Sequence, residues 1–270
     1  MEILDFLNYG FIQRAYLAGA AVAALSAILG VILVLRQLSL IGDGLSHISF
    51  GALALGLFLG IYPIYVALPA AILASCFIIV LKDKAQLYGD AAIAIVSAVG
   101  IAGGVILASL ASGFNVDLFS YLFGNILAIS SSEVLLSIIV SILVIAIIVY
   151  LYRDILAATF DEELAQVSGV KVRRLNIILS SLTAVSVVLA IKVVGVMLVS
   201  ALLVIPAVSA LQLAKSFKAA LIWALLFAVI SVLIGVSLSF LTDLPAGATI
   251  VMVNFFIFVF CWFGRQLPKN

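Results

Sequence analysis

The feature of this chain that most constrains its fold is a succession of long apolar runs separated by short charged segments. Of its 270 residues, 67% are hydrophobic and 9% are charged, whereas a soluble domain has about 45–50% apolar and about 25% charged residues. A soluble fold of this size has no interior large enough to bury so much apolar surface. The pattern therefore excludes a soluble enzyme, a nucleic-acid-binding protein and a disordered chain, and it predicts an integral membrane protein.

The apolar runs have the length of membrane-spanning helices, which need about 20 residues each. Backbone groups in lipid must be bonded within the segment, so runs without strict alternation predict helices. We predict an all-α polytopic bundle of eight or nine spans, with residues 1–270 forming one transmembrane domain. The nine predicted spans are 15–35, 39–61, 64–81, 91–110, 134–152, 175–191, 193–214, 219–241 and 244–264.

The region 175–214 leaves the number of spans open, because only Lys192 interrupts its forty residues. It holds either two spans joined by a tight turn or one span and a re-entrant segment. The simplest interpretation of Lys192 is that its side chain extends along the helix to the membrane surface. Cys76 and Cys261 lie in separate apolar runs, so we expect two free core cysteines rather than a disulfide.

The distribution of lysine and arginine predicts the orientation. With the N-terminus outside, eleven of the thirteen basic residues face the cytoplasm, as the positive-inside rule expects, and the C-terminus is cytoplasmic. The eleven residues are Arg36, Lys82, Lys84, Arg153, Lys171, Arg173, Arg174, Lys215, Lys218, Arg265 and Lys269.

The candidate functional pair is Asp43 and His47, the latter being the single histidine of the chain. Ionisable residues at membrane depth are costly and usually functional. Four residues apart, the two side chains share one face of a helix, and Ser39 and Ser46 lie near that face. A carboxylate and an imidazole form a ligand set for zinc or manganese, whereas a structural zinc site usually has four protein ligands. A transient metal site and a buried Asp–His hydrogen bond both remain open from spacing alone.

Two loops and two glycine spacings have structural interpretations. The outer loop at 111–133 carries Asn115, Asp117, Asn125 and Glu133. In the inner loop at 153–174, acids precede a helix-forming run and Gly169 follows it, so we predict a short amphipathic helix on the cytoplasmic surface. The spacings Gly56-x-x-x-Gly60 and Gly100-x-x-x-Gly104 predict close helix packing.

The sequence contains no phosphate-binding loop, no dinucleotide-binding fingerprint and no HExxH protease signature. We therefore expect no ATP hydrolysis by this chain and no enzymatic activity.

Four ordered stretches resemble the membrane permease subunits of ABC importers for zinc, manganese and iron. They are 33–47 (LVLRQLSLIGDGLSH), 160–170 (FDEELA followed by Gly169-Val170), 194–207 (VGVMLVSALLVIPA) and 245–250 (PAGATI). The resemblance implies a vitamin B12-type, or type II, importer fold in a bacterial plasma membrane. It also implies a homodimer, two ATPase subunits and an extracytoplasmic metal-binding protein as partners, with no nucleic acid and no permanently bound cofactor.

The resemblance also implies roles for particular residues. Asp43 and His47 match the pair that lines the ion path, and Asn125 falls where some relatives carry Asp. The segment that matches the ATPase-coupling region contains Phe160, Asp161, Glu162, Glu163, Leu164, Ala165 and Gly169. Residues 113–124 look most like the zinc branch of Gram-positive bacteria, so we expect zinc as the transported ion, with manganese or iron as the alternative.

A different class of function is a secondary transporter coupled to protons through Asp43 and His47. The inner loop discriminates between the two, because a carrier that works alone has no need of an ATPase-docking surface. A membrane-embedded enzyme is disfavoured, since one Asp–His pair without a nucleophile or a second ligand cluster is too little for catalysis.

Overall fold

The computed structural model describes residues 8–84, 89–110 and 116–266, which form helices and connecting turns with no β-strand among them. The α-helices are α1 (Gly10–Leu35), α2 (Ile41–Phe58), α3 (Pro63–Lys84), α4 (Gly89–Leu110), α5 (Val116–Phe123), α6 (Ser131–Tyr150), α7 (Tyr152–Phe160), α8 (Glu162–Val167), α9 (Val172–Val194), α10 (Val199–Leu213), α11 (Phe217–Thr242) and α12 (Ala246–Gln266). Two 3-10 turns lie at Ile126–Ala128 and Val196–Leu198.

Nine segments of the described chain are long and apolar enough to cross a membrane. They are α1, α2, α3, α4, α6, α9, α10 with its preceding 3-10 turn, α11 and α12. Each coincides with one predicted span, so the nine-span alternative fits the structure. The second span is shorter than predicted because α2 ends at Phe58, where Gly60 adopts a positive φ of 68° and Pro63 begins the next helix.

The region 175–214 contains two helices joined by a tight turn. The chain reverses at Gly195, whose φ of 83° and ψ of 161° are accessible only to glycine. The backbone of Gly195 lies against the backbone of Gly124, in the loop that follows α5. A Cβ added at Gly124 would stand 2.6 Å from the Gly195 nitrogen, so the two loops touch backbone to backbone. The 3-10 turn at Val196–Leu198 then leads from Gly195 into α10.

The helices pack around α1, which contacts α6, α9, α10 and α11. Small residues allow the close approach, since a Cβ at Gly30 would collide with the Leu203 carbonyl of α10. Helix α2 packs between α3 and α4 and also reaches α9 and α10. Helix α2 is therefore held on several sides by neighbouring spans.

Cys76 and Cys261 are both free, as predicted.

The two long loops contain more structure than the sequence predicted. The outer loop holds α5 and the turn at Ile126–Ala128, and the inner loop holds α7 as well as α8. The predicted amphipathic helix is α8, which Asp161 caps by accepting a hydrogen bond from the Leu164 N–H at 2.9 Å. Gly169 ends it with a φ of 93°, and the Val170 N–H donates to the Ala165 carbonyl at 3.0 Å, as in a Schellman cap.

Helix α6 begins at Ser131, three residues before the predicted start of its span. Ser130 and Glu133 form a reciprocal capping box, which satisfies two backbone donors and extends the helix into the outer loop. The signal was present in the sequence as Ser-x-x-Glu before an apolar run.

Candidate functional site

Asp43 and His47 lie in the first two turns of α2, and the structure brings their side chains together. His47 Nε2 is 3.3 Å from Asp43 Oδ2. The Asp43 side chain is 46% exposed and that of His47 is 22% exposed, so neither is enclosed by this chain. The two donor atoms therefore point to a face of the bundle that its own helices leave open.

The serine that bonds the carboxylate is neither of the two that the sequence placed near the pair. Ser46 is fully buried and donates to the Asp43 main-chain carbonyl at 2.8 Å, so its hydroxyl is bonded to backbone rather than to the carboxylate. Ser39 precedes α2. The hydroxyl beside the carboxylate comes instead from Ser200, whose Oγ donates to Asp43 Oδ1 at 3.3 Å. Sequence reasoning missed Ser200, although it lies in one of the four stretches that carry the resemblance.

The α2 backbone at His47 is packed against α4 through glycines. A Cβ added at Gly100 would stand 2.7 Å from the His47 carbonyl oxygen and 2.6 Å from the Ile48 nitrogen. At Gly104, a Cβ would meet the Phe50 ring at 2.6 Å. The packing predicted from this glycine spacing is therefore confirmed. Of the other pair, Gly56 packs against Pro63, whereas Gly60 has no neighbour within 4 Å and instead ends the helix, so the predicted packing was wrong for Gly60.

The donor set at the pair is one imidazole nitrogen, one carboxylate and one hydroxyl. Imidazole and carboxylate suit zinc and also manganese. No group of three or more His, Cys, Asp or Glu side chains capable of holding a metal occurs in the part of the chain that the structure describes. At the pair, one copy of the chain thus offers three candidate donor groups, fewer than the four protein ligands of a structural zinc site.

The segment predicted to contact an ATPase has an unusual surface. Ala165 is buried and anchors α8, while Phe160, Leu164 and Val167 are exposed, the last by 87%. The acids of the segment flank this apolar patch. Exposed apolar residues outside the membrane spans mark protein–protein interfaces. Val167 lies inside the predicted segment, although the sequence did not single it out as a contact residue.

A polar cluster lies at the other end of the bundle. Lys192 Nζ is 2.9 Å from Glu133 Oε1, and the Tyr62 hydroxyl donates to the same oxygen at 3.1 Å. Lys192 also lies 5.1 Å from the centroid of the Tyr121 ring. Lys192 therefore does not simply extend to the surface, and that interpretation is corrected: an ion pair and aromatic rings hold it in place.

The electrostatics of this cluster keep Tyr62 protonated. Burial raises the pKa of the Tyr62 phenol above its ordinary value, and the hydrogen bond and negative charge of Glu133 raise it further, while Lys192 lowers it. A protonated phenol remains a donor to the carboxylate. Tyr62 thus ties the start of α3 to the start of α6.

Of the polar residues of the outer loop, Asn125 and Glu133 belong to this cluster, not to the Asp43–His47 pair. Asn125, Glu133 and Lys192 line one cavity of about 170 Å³. The Asn125 N–H donates to the Lys192 carbonyl at 3.3 Å. Tyr62, which contacts Glu133, follows the far end of α2, and the sixteen residues from Asp43 to Phe58 span about 22 Å of helix. The Asp117 side chain and residue Asn115 lie outside the described residues.

Replacing Lys192 by Met is expected to lower the stability of the isolated subunit. Breaking a buried pair costs about 3–5 kcal/mol, and the partial exposure of these two side chains reduces the expected cost to about 1–2 kcal/mol. The thermal unfolding midpoint in detergent measures the effect. The matched control, Lys192→Met combined with Glu133→Gln, removes both charges and should recover part of the loss. A single variant as stable as the wild type would contradict the assignment of the pair.

The chain is similar to known proteins over almost its whole length. The model of the ABC 3 transport family matches residues 8–265. The chain is 32% identical over 252 residues to the high-affinity zinc uptake system membrane protein ZnuB of Haemophilus influenzae, with 93% of this chain and 97% of the relative covered. It is 34% identical over 252 residues to the manganese transport system membrane protein MntC of Listeria innocua, with 93% and 90% covered. Among solved structures, a chain of PsaBC from Streptococcus pneumoniae in complex with Fab superposes with a TM-score of 0.87 at 29% identity, with 97% of this chain and 94% of that chain covered.

Proposed function

Because this chain belongs to the ABC 3 transport family and is a metal ABC transporter permease, we propose that it carries zinc into the cytoplasm past Asp43 and His47. The observation that carries the proposal is the open Asp43–His47 pair on α2. The family match confirms the resemblance found in the four sequence stretches, and the all-α permease fold is confirmed as well.

The choice of zinc has two supports. Imidazole nitrogen and carboxylate oxygen are both common zinc ligands, and residues 113–124 look most like the zinc branch of the family, although residues 113–115 lie outside the described ones. The similar proteins bear names of both metals, zinc for the Haemophilus relative and manganese for the Listeria relative. Manganese is therefore the competing cargo, and measurement must decide between them.

A second copy of the chain completes the proposed site. Asp43 and His47 are partly exposed, and Leu40 at the start of the same helix is exposed, so this chain alone does not cover the surface at the pair. A two-fold axis beside this surface would bring two Asp–His pairs face to face. Two carboxylates and two imidazoles supply the four ligands that zinc prefers. Because the site forms only between two copies, it can open and release the ion.

The orientation and the other partners follow from charge and from the exposed patch. The basic connecting segments are expected to face the cytoplasm of a bacterial cell, with the C-terminus on the same side. The segment 160–169 then faces the cytoplasm with its apolar patch, where a separate ATPase subunit would dock. The outer loop then lies outside the cell, where the metal-binding protein that delivers the ion would dock.

The proposed mechanism assigns a step to each part of the chain. The loaded delivery protein docks on the outer loops, and ATP binding to the partner subunits moves the segment 160–169. This motion rocks the helices so that the ion loses water onto Asp43 and His47 and then leaves inward. Hydrolysis of ATP takes place on the partner, and this chain supplies only the path.

Metal uptake in cells that lack their own importers tests the proposal. The chain is expressed with its ATPase subunit and its delivery protein, and accumulation of zinc and of manganese is measured in parallel. Zinc accumulation that requires the ATPase subunit is expected. Uptake by this chain without an ATPase subunit would overturn the proposal and favour a proton-coupled carrier, while uptake of manganese without zinc would correct the cargo.

An acid placed in the apolar patch is expected to prevent docking of the ATPase subunit. Leu164→Asp and Val167→Asp both place a charge on exposed apolar surface, which should leave the fold intact while removing the contact area that excludes water. Copurification of the ATPase subunit with the tagged permease measures docking. Lys215→Asp is the matched control, since it adds the same side chain at the same end but outside the segment. Undiminished copurification with both variants would place the docking surface elsewhere.

A further inference from the structure

We propose that the ion pair between Arg36 and Glu162 transmits movement of the ATPase-docking segment to α2, and so to the Asp43–His47 pair. Arg36 is the C-cap of α1 and Glu162 is the first residue of α8, and the two residues are 126 positions apart in the sequence. The guanidinium of Arg36 binds the Glu162 carboxylate directly. This inference rests on the proposed function, because it assigns a positioning role within the same transport cycle.

The arginine end of the ion pair is buried, whereas the glutamate end is half exposed. The Arg36 side chain is 4% exposed. A guanidinium keeps its charge under all ordinary conditions, so burying it requires a carboxylate partner. Ala158 and Thr159 of α7 line the space of about 200 Å³ beside the pair, so Arg36 reaches into the inner-loop layer. Losing Glu162 would leave this buried cation without its partner.

Hydrogen-bonded turns connect Arg36, one partner of the ion pair, to α2. The Leu38 N–H donates to the Leu33 carbonyl at 2.8 Å, and the Gln37 N–H donates to the Val34 carbonyl at 3.2 Å. Together with the φ of 57° at Gln37, these two bonds form a Schellman cap at the end of α1. The Ile41 N–H then donates to the Leu38 carbonyl at 3.1 Å, at the first residue of α2. Only the four residues of these hydrogen-bonded turns separate Arg36 from α2, the helix that carries Asp43 and His47.

Rigid turns also hold Glu162 on the other side. Asp161 caps α8 immediately before it, Ala165 is buried beneath it, and the cap at Gly169 closes the helix. The apolar patch of Phe160, Leu164 and Val167 belongs to the same short segment. A force applied to the patch therefore moves Glu162 with the whole helix, and the ion pair passes the movement to the connector and to α2.

A charge exchange tests this role. The variants are Glu162→Gln, Arg36→Glu, and the double variant Arg36→Glu with Glu162→Arg, each assembled with the ATPase subunit and the delivery protein in proteoliposomes. The measured quantity is zinc transported per ATP hydrolysed. We expect it to fall about fivefold or more in each single variant, in the range of typical coupling between sites, and to recover in the double variant. Arg36→Lys keeps the charge and should retain an intermediate ratio.

The controls separate transmission from folding and from the proposed function itself. Asp154→Asn removes an exposed acid at the same end of the bundle, outside the segment, and should leave the ratio unchanged. If Arg36→Glu does not fold, the exposed Glu162→Gln still decides the question. Equal loss of ATP hydrolysis and transport, or no recovery in the double variant, would overturn the inference. A wild-type complex that hydrolyses ATP without moving zinc would instead overturn the proposed function.

Discussion

Zinc uptake is expected to fall by about 100-fold or more when either Asp43 or His47 is replaced by Ala, because each substitution removes a metal ligand from both copies of the chain. Assembly with the ATPase subunit and the thermal unfolding midpoint should stay close to wild type. Both side chains are partly exposed, so neither substitution leaves a cavity or an enclosed unpaired charge.

Two serine variants serve as controls for this prediction. Ser46→Ala removes a hydroxyl bonded only to main chain beside the site and should transport normally. Ser200→Ala removes the hydrogen bond to the Asp43 carboxylate and should reduce uptake less than loss of a ligand does. Uptake near the wild-type level in both Asp43→Ala and His47→Ala would remove the pair from the ion path.

The second large effect is expected for Gly100→Ala on α4. The added methyl group would stand 2.6–2.7 Å from the backbone at His47 and Ile48, which has no flexible atoms to move aside. The two helices must separate, and overpacking of this kind costs about 1–3 kcal/mol. Because α2 carries the Asp43–His47 pair, the displacement of α2 should lower zinc uptake together with the stability of the protein.

Gly103→Ala is the matched control, three residues further along α4. The same methyl group meets nothing within 4 Å there, and alanine favours the helix by about 1 kcal/mol over glycine. Thermal unfolding and zinc uptake are measured for both variants. Gly103→Ala should retain both, whereas equal behaviour of the two variants would contradict the close approach of α4 to His47.

Much of the fold could be predicted because hydropathy and helical spacing act over short distances. Spans of about 20 apolar residues are visible without tertiary information. The proximity of Asp43 and His47 follows from a spacing of four residues on a helix. Likewise, the acids and the glycine that bound α8 are local signals for its caps. These predictions depended only on neighbours in the chain.

The remaining contacts could not be predicted, because they join residues that are distant in sequence. Ser200 meets Asp43 across 157 positions, and nothing in its own segment marks a partner. The sequence around Lys192 is the same whether the ammonium group reaches water or pairs with Glu133, so it does not reveal the ion pair. Helices α5 and α7 also went unpredicted, since short helices in loops have no long apolar period to reveal them.

The most direct test of zinc passage through the Asp43–His47 pair is anomalous diffraction at the zinc edge from the assembled, zinc-loaded importer. The expected result is a peak about 2.0–2.2 Å from a His47 ring nitrogen and an Asp43 oxygen, shared between two copies of the chain and lost in His47→Ala. A zinc peak held by other residues along the path, with no metal at Asp43 and His47 in an actively transporting complex, would contradict it.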